Sequence, residues 1–151
     1  MSPDEESYQQ MSGHHQQDER AVHVTAYSSA FDDLPVLQQR LCFVLRRLPD
    51  DVWIDFIQDE SFTIRVEDFR PGRGTRMFMP MPQGPEHVSR CVVLRKKLDY
   101  APEDFALYVI AHELAHAFLR NGGWGAIQDK EEAADALAAS WGYPKPAIRW
   151  F

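Results

Sequence analysis

Only two cysteines, Cys42 and Cys91, occur in 151 residues. They are too few and too far apart in sequence for a disulfide framework or a CxxC zinc site. Long uninterrupted apolar runs are also missing. The most apolar segment, Phe105 to Leu119, carries two histidines and a glutamate. No stretch resembles a transmembrane span or a secretory signal, so no membrane association and a cytoplasmic location are expected. Residues 1–20 lack Val, Ile, Leu and Phe and hold five acidic groups against Arg20 alone. Such a segment cannot form a core, and residues 1–21 are expected to be a disordered acidic tail ahead of one compact domain over residues 22–151. His14 and His15 in that tail are read as solvated polar residues. There is no internal repeat.

The apolar run contains the most informative feature, the pentapeptide His112-Glu113-Leu114-Ala115-His116. A helix apolar on all sides is buried, and buried ionisable groups need partners. Positions i and i+4 lie one above the other, so the two imidazoles can converge on one tetrahedral zinc ion, with Glu113 placed to act on a metal-bound water. This is the pattern of an HExxH zinc hydrolase. Pro102 opens the helix, Glu103 and Asp104 put negative charge in its first turn, and Asn121-Gly122-Gly123 stops it.

A catalytic zinc site needs a third protein ligand. With fourteen residues between, His116 is followed by Glu131-Glu132-Ala-Ala-Asp135, in a second helix with five alanines between 133 and 139. Small residues let this helix come close to the first. Glu131, Ala134, Asp135 and Ala138 share one face. That face can offer Glu131 to the metal and Asp135 to the free ring nitrogen of a ligating histidine. Glu132 is the rival ligand, although Asp129 to Glu132 has the spacing of a capping box; Asp135 itself is a third candidate.

His112-Glu113-Leu-Ala-His116 followed by Glu131-Glu-Ala-Ala-Asp135 resembles the zincin superfamily and, within it, the gluzincins. The close spacing resembles small single-domain metallopeptidase-like proteins of bacteria, over about residues 90 to 142. The resemblance implies His112, His116 and Glu131 as zinc ligands, Glu113 as general base, and Asp135 as the support of a histidine. It implies a zinc-dependent metallopeptidase acting on a peptide or protein, with the strand over Val88 to Leu94 as an edge on which an extended peptide can pair. Candidates for a donor to the developing oxyanion are Tyr143, His87 and Arg90. The alternative is a catalytically silent, zinc-stabilised regulatory or binding module that contacts an acidic protein or nucleic acid. Eight of the sixteen basic residues lie between Arg65 and Lys97, but strands show one face to solvent as a rule, and this reading disfavours nucleic acid as a partner.

The remaining pattern predicts an N-terminal core helix capped by Asp33, with Leu34, Leu37, Leu41, Val44, Leu45 and Leu48 at helical spacing, stopping at Pro49. Val52 to Ile57 and Phe62 to Val66 read as short strands, with Thr75 to Met79 and Ser89 to Leu94 as two more. The expected architecture is α+β, with a small mixed or antiparallel sheet packed on the N-terminal helix and the HExxH helix.

Overall fold

The structure is a computed structural model that describes residues 19–67 and 90–147. Residues 19–28 form helix α1, so the helix includes positions 19–21 of the segment expected to be a tail. Its Val24 is fully buried, and its Arg20 Nη2 donates to the carbonyls of Leu45 (3.1 Å) and Leu48 (2.6 Å). Those carbonyls lie at the end of α2, Pro35–Arg46, where backbone acceptors have run out of helical partners. Leu37, Leu41, Val44 and Leu45 form the buried stripe of α2, as their spacing predicts.

The start of α2 differs from expectation. Leu34 and not Asp33 is the capping position, and it contributes no side-chain hydrogen bond. Pro35 lacks an amide, and the Leu37 amide donates instead to Asp99 Oδ1 at 2.8 Å, from a short 3-10 turn at Lys96–Asp99. The cap comes from across the fold.

Residues expected as a strand from Val52 to Ile57 form a helix, α3, over Asp50–Gln58. Pro49 is its N-cap, and Asp50 and Asp51 supply first-turn negative charge. Val52, Trp53 and Phe56 are buried while Ile54 is 46% exposed, which is helical and not alternating burial. Phe56 then stacks on Phe62 with ring centroids 4.0 Å apart, a pair worth about 0.5–1.5 kcal/mol beyond its area burial.

Among the described residues the sheet consists of one pair, and that pair is not antiparallel. Strands β1 (Thr63–Val66) and β2 (Cys91–Leu94) pair in parallel, with Thr63 opposite Cys91 and Val66 opposite Leu94. They are the two strands among the described residues. An antiparallel pair can close with a tight turn, whereas a parallel pair requires a crossover of about a dozen residues or more, for which the segment between residues 66 and 91 is long enough. The expected strand at Thr75 to Met79 lies outside the described residues.

Helix α4 (Glu103–Phe118) is central: it packs against α2, α3, β2 and helix α5 (Lys130–Ser140). Ala106, Ile110, Ala111 and Leu114 are fully buried. Arg40 Nη1 donates to the carbonyls of Leu98 (2.7 Å) and Ala101 (2.8 Å), tying the approach to α4 onto α2. The architecture is thus mixed α and β, mostly helical. No helix among the described residues is long and apolar enough to cross a membrane.

Candidate metal centre

Two helices and the connection between them build the site. Arg120 and Asn121 both adopt left-handed backbone (φ 52° and 58°), and the Asn121 amide closes onto the His116 carbonyl at 3.0 Å. The chain then doubles back: Trp124 and Ile127 exchange backbone hydrogen bonds of 2.8 and 2.9 Å. Gly123 is required there, since a Cβ would lie 2.4 Å from the Ile127 carbonyl oxygen. Asp129 caps α5 by accepting from the Glu132 amide at 2.9 Å. Ala133, Ala134 and Ala138 are fully buried, and Ala115 of α4 clusters with Ala134 and Leu137. This small-residue contact lets the helices approach closely.

His112, His116 and Glu131 converge as a group with a ligand atom from each within 4.8 Å of the others. Both His112 Nε2 (3.1 Å) and His116 Nε2 (3.2 Å) face the same Glu131 Oε2. On its other side, His112 Nδ1 lies 2.7 Å from Asp135 Oδ1. An ionised carboxylate only accepts, so that nitrogen carries the proton. Nε2 of a neutral His112 then presents a lone pair to a carboxylate oxygen, and two acceptors in contact repel unless a cation or a proton lies between them. His116 differs on its far side, where its buried Nδ1 has no hydrogen-bond partner among the described residues. Two atoms each about 2.0–2.1 Å from a tetrahedral zinc lie about 3.3 Å apart, and the two observed spacings are of that size. The donor set, two imidazoles and a carboxylate, also suits zinc. These residues therefore fit a zinc ion.

The carboxylates of the group are shifted in different directions. Burial would raise Glu131 and Asp135, but for Glu131 the bonds and charge of His116 and His112 prevail and lower its pKa. Asp135 is lowered by hydrogen bonds from Tyr108 and His112, together with the charges of His112 and Lys145. Glu113 moves the opposite way: burial raises it, His112 and His116 pull it part-way down, and Glu131 adds to the rise.

Of the residues expected at the site, His112, His116, Glu131 and Asp135 are brought together. Glu132 is exposed on the first turn of α5, its amide held by Asp129, and it is not a member of the donor group. Tyr143 packs against the main core; burial raises its phenol, and the neighbouring charge that lowers it is Arg47, at the end of α2. His87 lies outside the described residues. Arg90 is committed elsewhere: it is 4% exposed, donates to the Ala117 carbonyl at 2.9 Å and to Asp59 at 2.8 Å, and also pairs with Asp55.

One residue had no assigned role in the sequence. The Tyr108 hydroxyl donates to Asp135 Oδ1 at 2.5 Å, the same oxygen that receives His112. The signal was its position, one helical turn before His112 on the same face. Comparison with protein-family models, curated proteins and solved structures found no match.

Proposed function

We propose that the chain is a zinc-dependent metallopeptidase, an amide hydrolase acting on a peptide or protein. The observation that carries this reading is the meeting of His112 Nε2 and His116 Nε2 on one oxygen of Glu131 while Asp135 occupies the far side of His112. His112, His116 and Glu131 would hold the ion. When bound, zinc supplies polarisation of a scissile carbonyl and a water of pKa about 7.

The chain's own groups supply the rest. Glu113 is the proton carrier, taking a proton from the attacking water as its oxygen bonds to the carbonyl carbon and delivering it to the leaving amine as the C–N bond breaks. Its burial favours the protonated form relative to an exposed glutamate, which brings proton uptake closer to neutral pH. Asp135 fixes the His112 tautomer, leaving Nε2 free to ligate. The Glu131 side chain is 61% exposed, so an incoming chain would approach from its side.

The test pairs metal analysis with hydrolysis of a mixed fluorogenic peptide library by the native protein and by Glu113→Gln. Both proteins are expected to carry one zinc, with cleavage lower in the variant by about 10²–10⁴-fold. Equal cleavage by the two would remove Glu113 from the chemistry. Zinc without cleavage would move the chain to a zinc-stabilised binding module, and absence of zinc from the native protein would remove both readings.

A further inference from the structure

We propose that Tyr108 is a positioning residue for the metal ligand His112, acting through Asp135; this rests on the reading of His112, His116 and Glu131 as a zinc site. A carboxylate that orients a ligating imidazole is useful only if it is itself held. Asp135 reaches His112 from α5, across a helix contact built on Ala115, Ala134 and Leu137, whose side chains offer no hydrogen bonds. Its orientation therefore depends on whatever polar groups meet it. Tyr108 is the strongest of these: its hydroxyl is 2.5 Å from Oδ1, the oxygen that also receives His112 Nδ1 at 2.7 Å. Lys145 meets the other oxygen from 4.0 Å with a side chain 45% exposed, and such solvent-screened pairs contribute little.

The geometry has a directional consequence. Tyr108 and His112 both project from α4, one turn apart, and both converge on a single oxygen of α5. The carboxylate is thus fixed in relation to the helix that carries the ligand, and a shift of α5 is resisted at the atom that orients the imidazole. The tyrosine is nearly buried, at 9% exposure, and its ring lies 5.7 Å from the His112 ring.

The test measures zinc affinity by competition with a chelator of known affinity, using zinc alone as the probe. The full-length native protein is compared with Tyr108→Phe, Asp135→Ala and the double variant. Loss of a carboxylate partner of a ligating histidine weakens metal binding by about 10–100-fold; Tyr108→Phe, one bond further out, is expected to cost about 3–10-fold, since it loosens and does not delete that partner. In the Asp135→Ala background the Tyr108→Phe effect should vanish. Cobalt(II) absorption spectra should shift in Tyr108→Phe and not shift further between Asp135→Ala and the double variant. Matching thermal midpoints of native and Tyr108→Phe protein under chelator separate site geometry from folding. Unchanged zinc affinity in Tyr108→Phe, or an equal loss in both backgrounds, would overturn the proposal. Absence of zinc binding by the native protein would instead overturn the reading beneath it.

Discussion

Replacing Arg90 by methionine removes the ionic clamp that holds the C-terminal end of α4. Arg90 is buried, and its guanidinium serves Asp55, Asp59 and the Ala117 carbonyl, one residue beyond His116. Breaking a buried ion pair from one side costs about 3–5 kcal/mol. The lower end applies here because the carboxylates are 23% and 28% exposed. They also keep other donors: Arg120 at 2.9 Å for Asp55, and the Ser61 amide and hydroxyl at 2.9 and 2.6 Å for Asp59. Arg90 also lies over the Phe56 and Phe62 rings, 5.3 and 6.0 Å from their centroids, adding about 0.5–1 kcal/mol. The expected loss is about 3–4 kcal/mol, a fall in midpoint of about 6–16 °C at 2–4 °C per kcal/mol for a chain of this size. Urea unfolding followed by tryptophan fluorescence would measure it. Asp59→Asn should cost less in the Arg90→Met background than in the native one, because the two share an interaction. Arg90→Lys should recover only part of the loss, since a single ammonium cannot serve three acceptors in a fork. A loss within about 0.5 kcal/mol, typical of surface substitutions, would refute the clamp.

Three further outcomes follow from the same structure. Gly123→Ala places a Cβ 2.4 Å from a backbone carbonyl and should cost about 1–3 kcal/mol; Gly125→Ala meets open space at φ +57° and should cost about 1 kcal/mol, both read from urea midpoints. Burial would raise Asp59, but hydrogen bonds from Ser61 and Arg90 hold it at about 2. Its contribution to stability is thus complete above an ordinary aspartate pKa of about 3.9 and is lost as pH falls toward 2, so Asp59→Asn should flatten the acid limb of a stability–pH curve; an unchanged limb would contradict the pairing. Zinc at about 100 times its Kd should add about 2.7 kcal/mol, a calorimetric midpoint rise of about 5–11 °C; the rise should be reversed by chelator and absent in His116→Ala.

Both motif helices were legible because their signals are local. His112 and His116 one turn apart, Glu131 and Asp135 one turn apart, an Asp129 cap and an Asn-Gly-Gly stop are all readable within a few residues. The choice of Glu131 over Glu132 followed from helical face, and the structure groups Glu131 with the two histidines. Local pattern misleads where distant residues decide. The Val52 to Ile57 segment has strand-like composition, but Pro49, Asp50 and Asp51 start a helix whose buried face is Val52, Trp53 and Phe56. Asp33 has the chemistry of a cap, yet the Leu37 amide is taken by Asp99, 62 residues further on. Parallel pairing of β1 and β2 depends on the path of the connecting chain, which no local pattern encodes. Arg90 looked like an available cation in a basic stretch, and the acids that claim it, Asp55 and Asp59, lie more than thirty positions away.

The alanines between α4 and α5 bear on how the site can change over time. Contact between methyl groups is a spacer that neither bends nor rotates, so the separation of the two helices is fixed by backbone proximity. A glutamate on one helix then meets histidines on the other at a separation set by residues that carry no charge. A larger side chain at Ala134, which is fully buried against Ala115, would widen the gap between Glu131 and the two histidines without any of the three being replaced. The least reactive residues in the chain are in this sense its calibration.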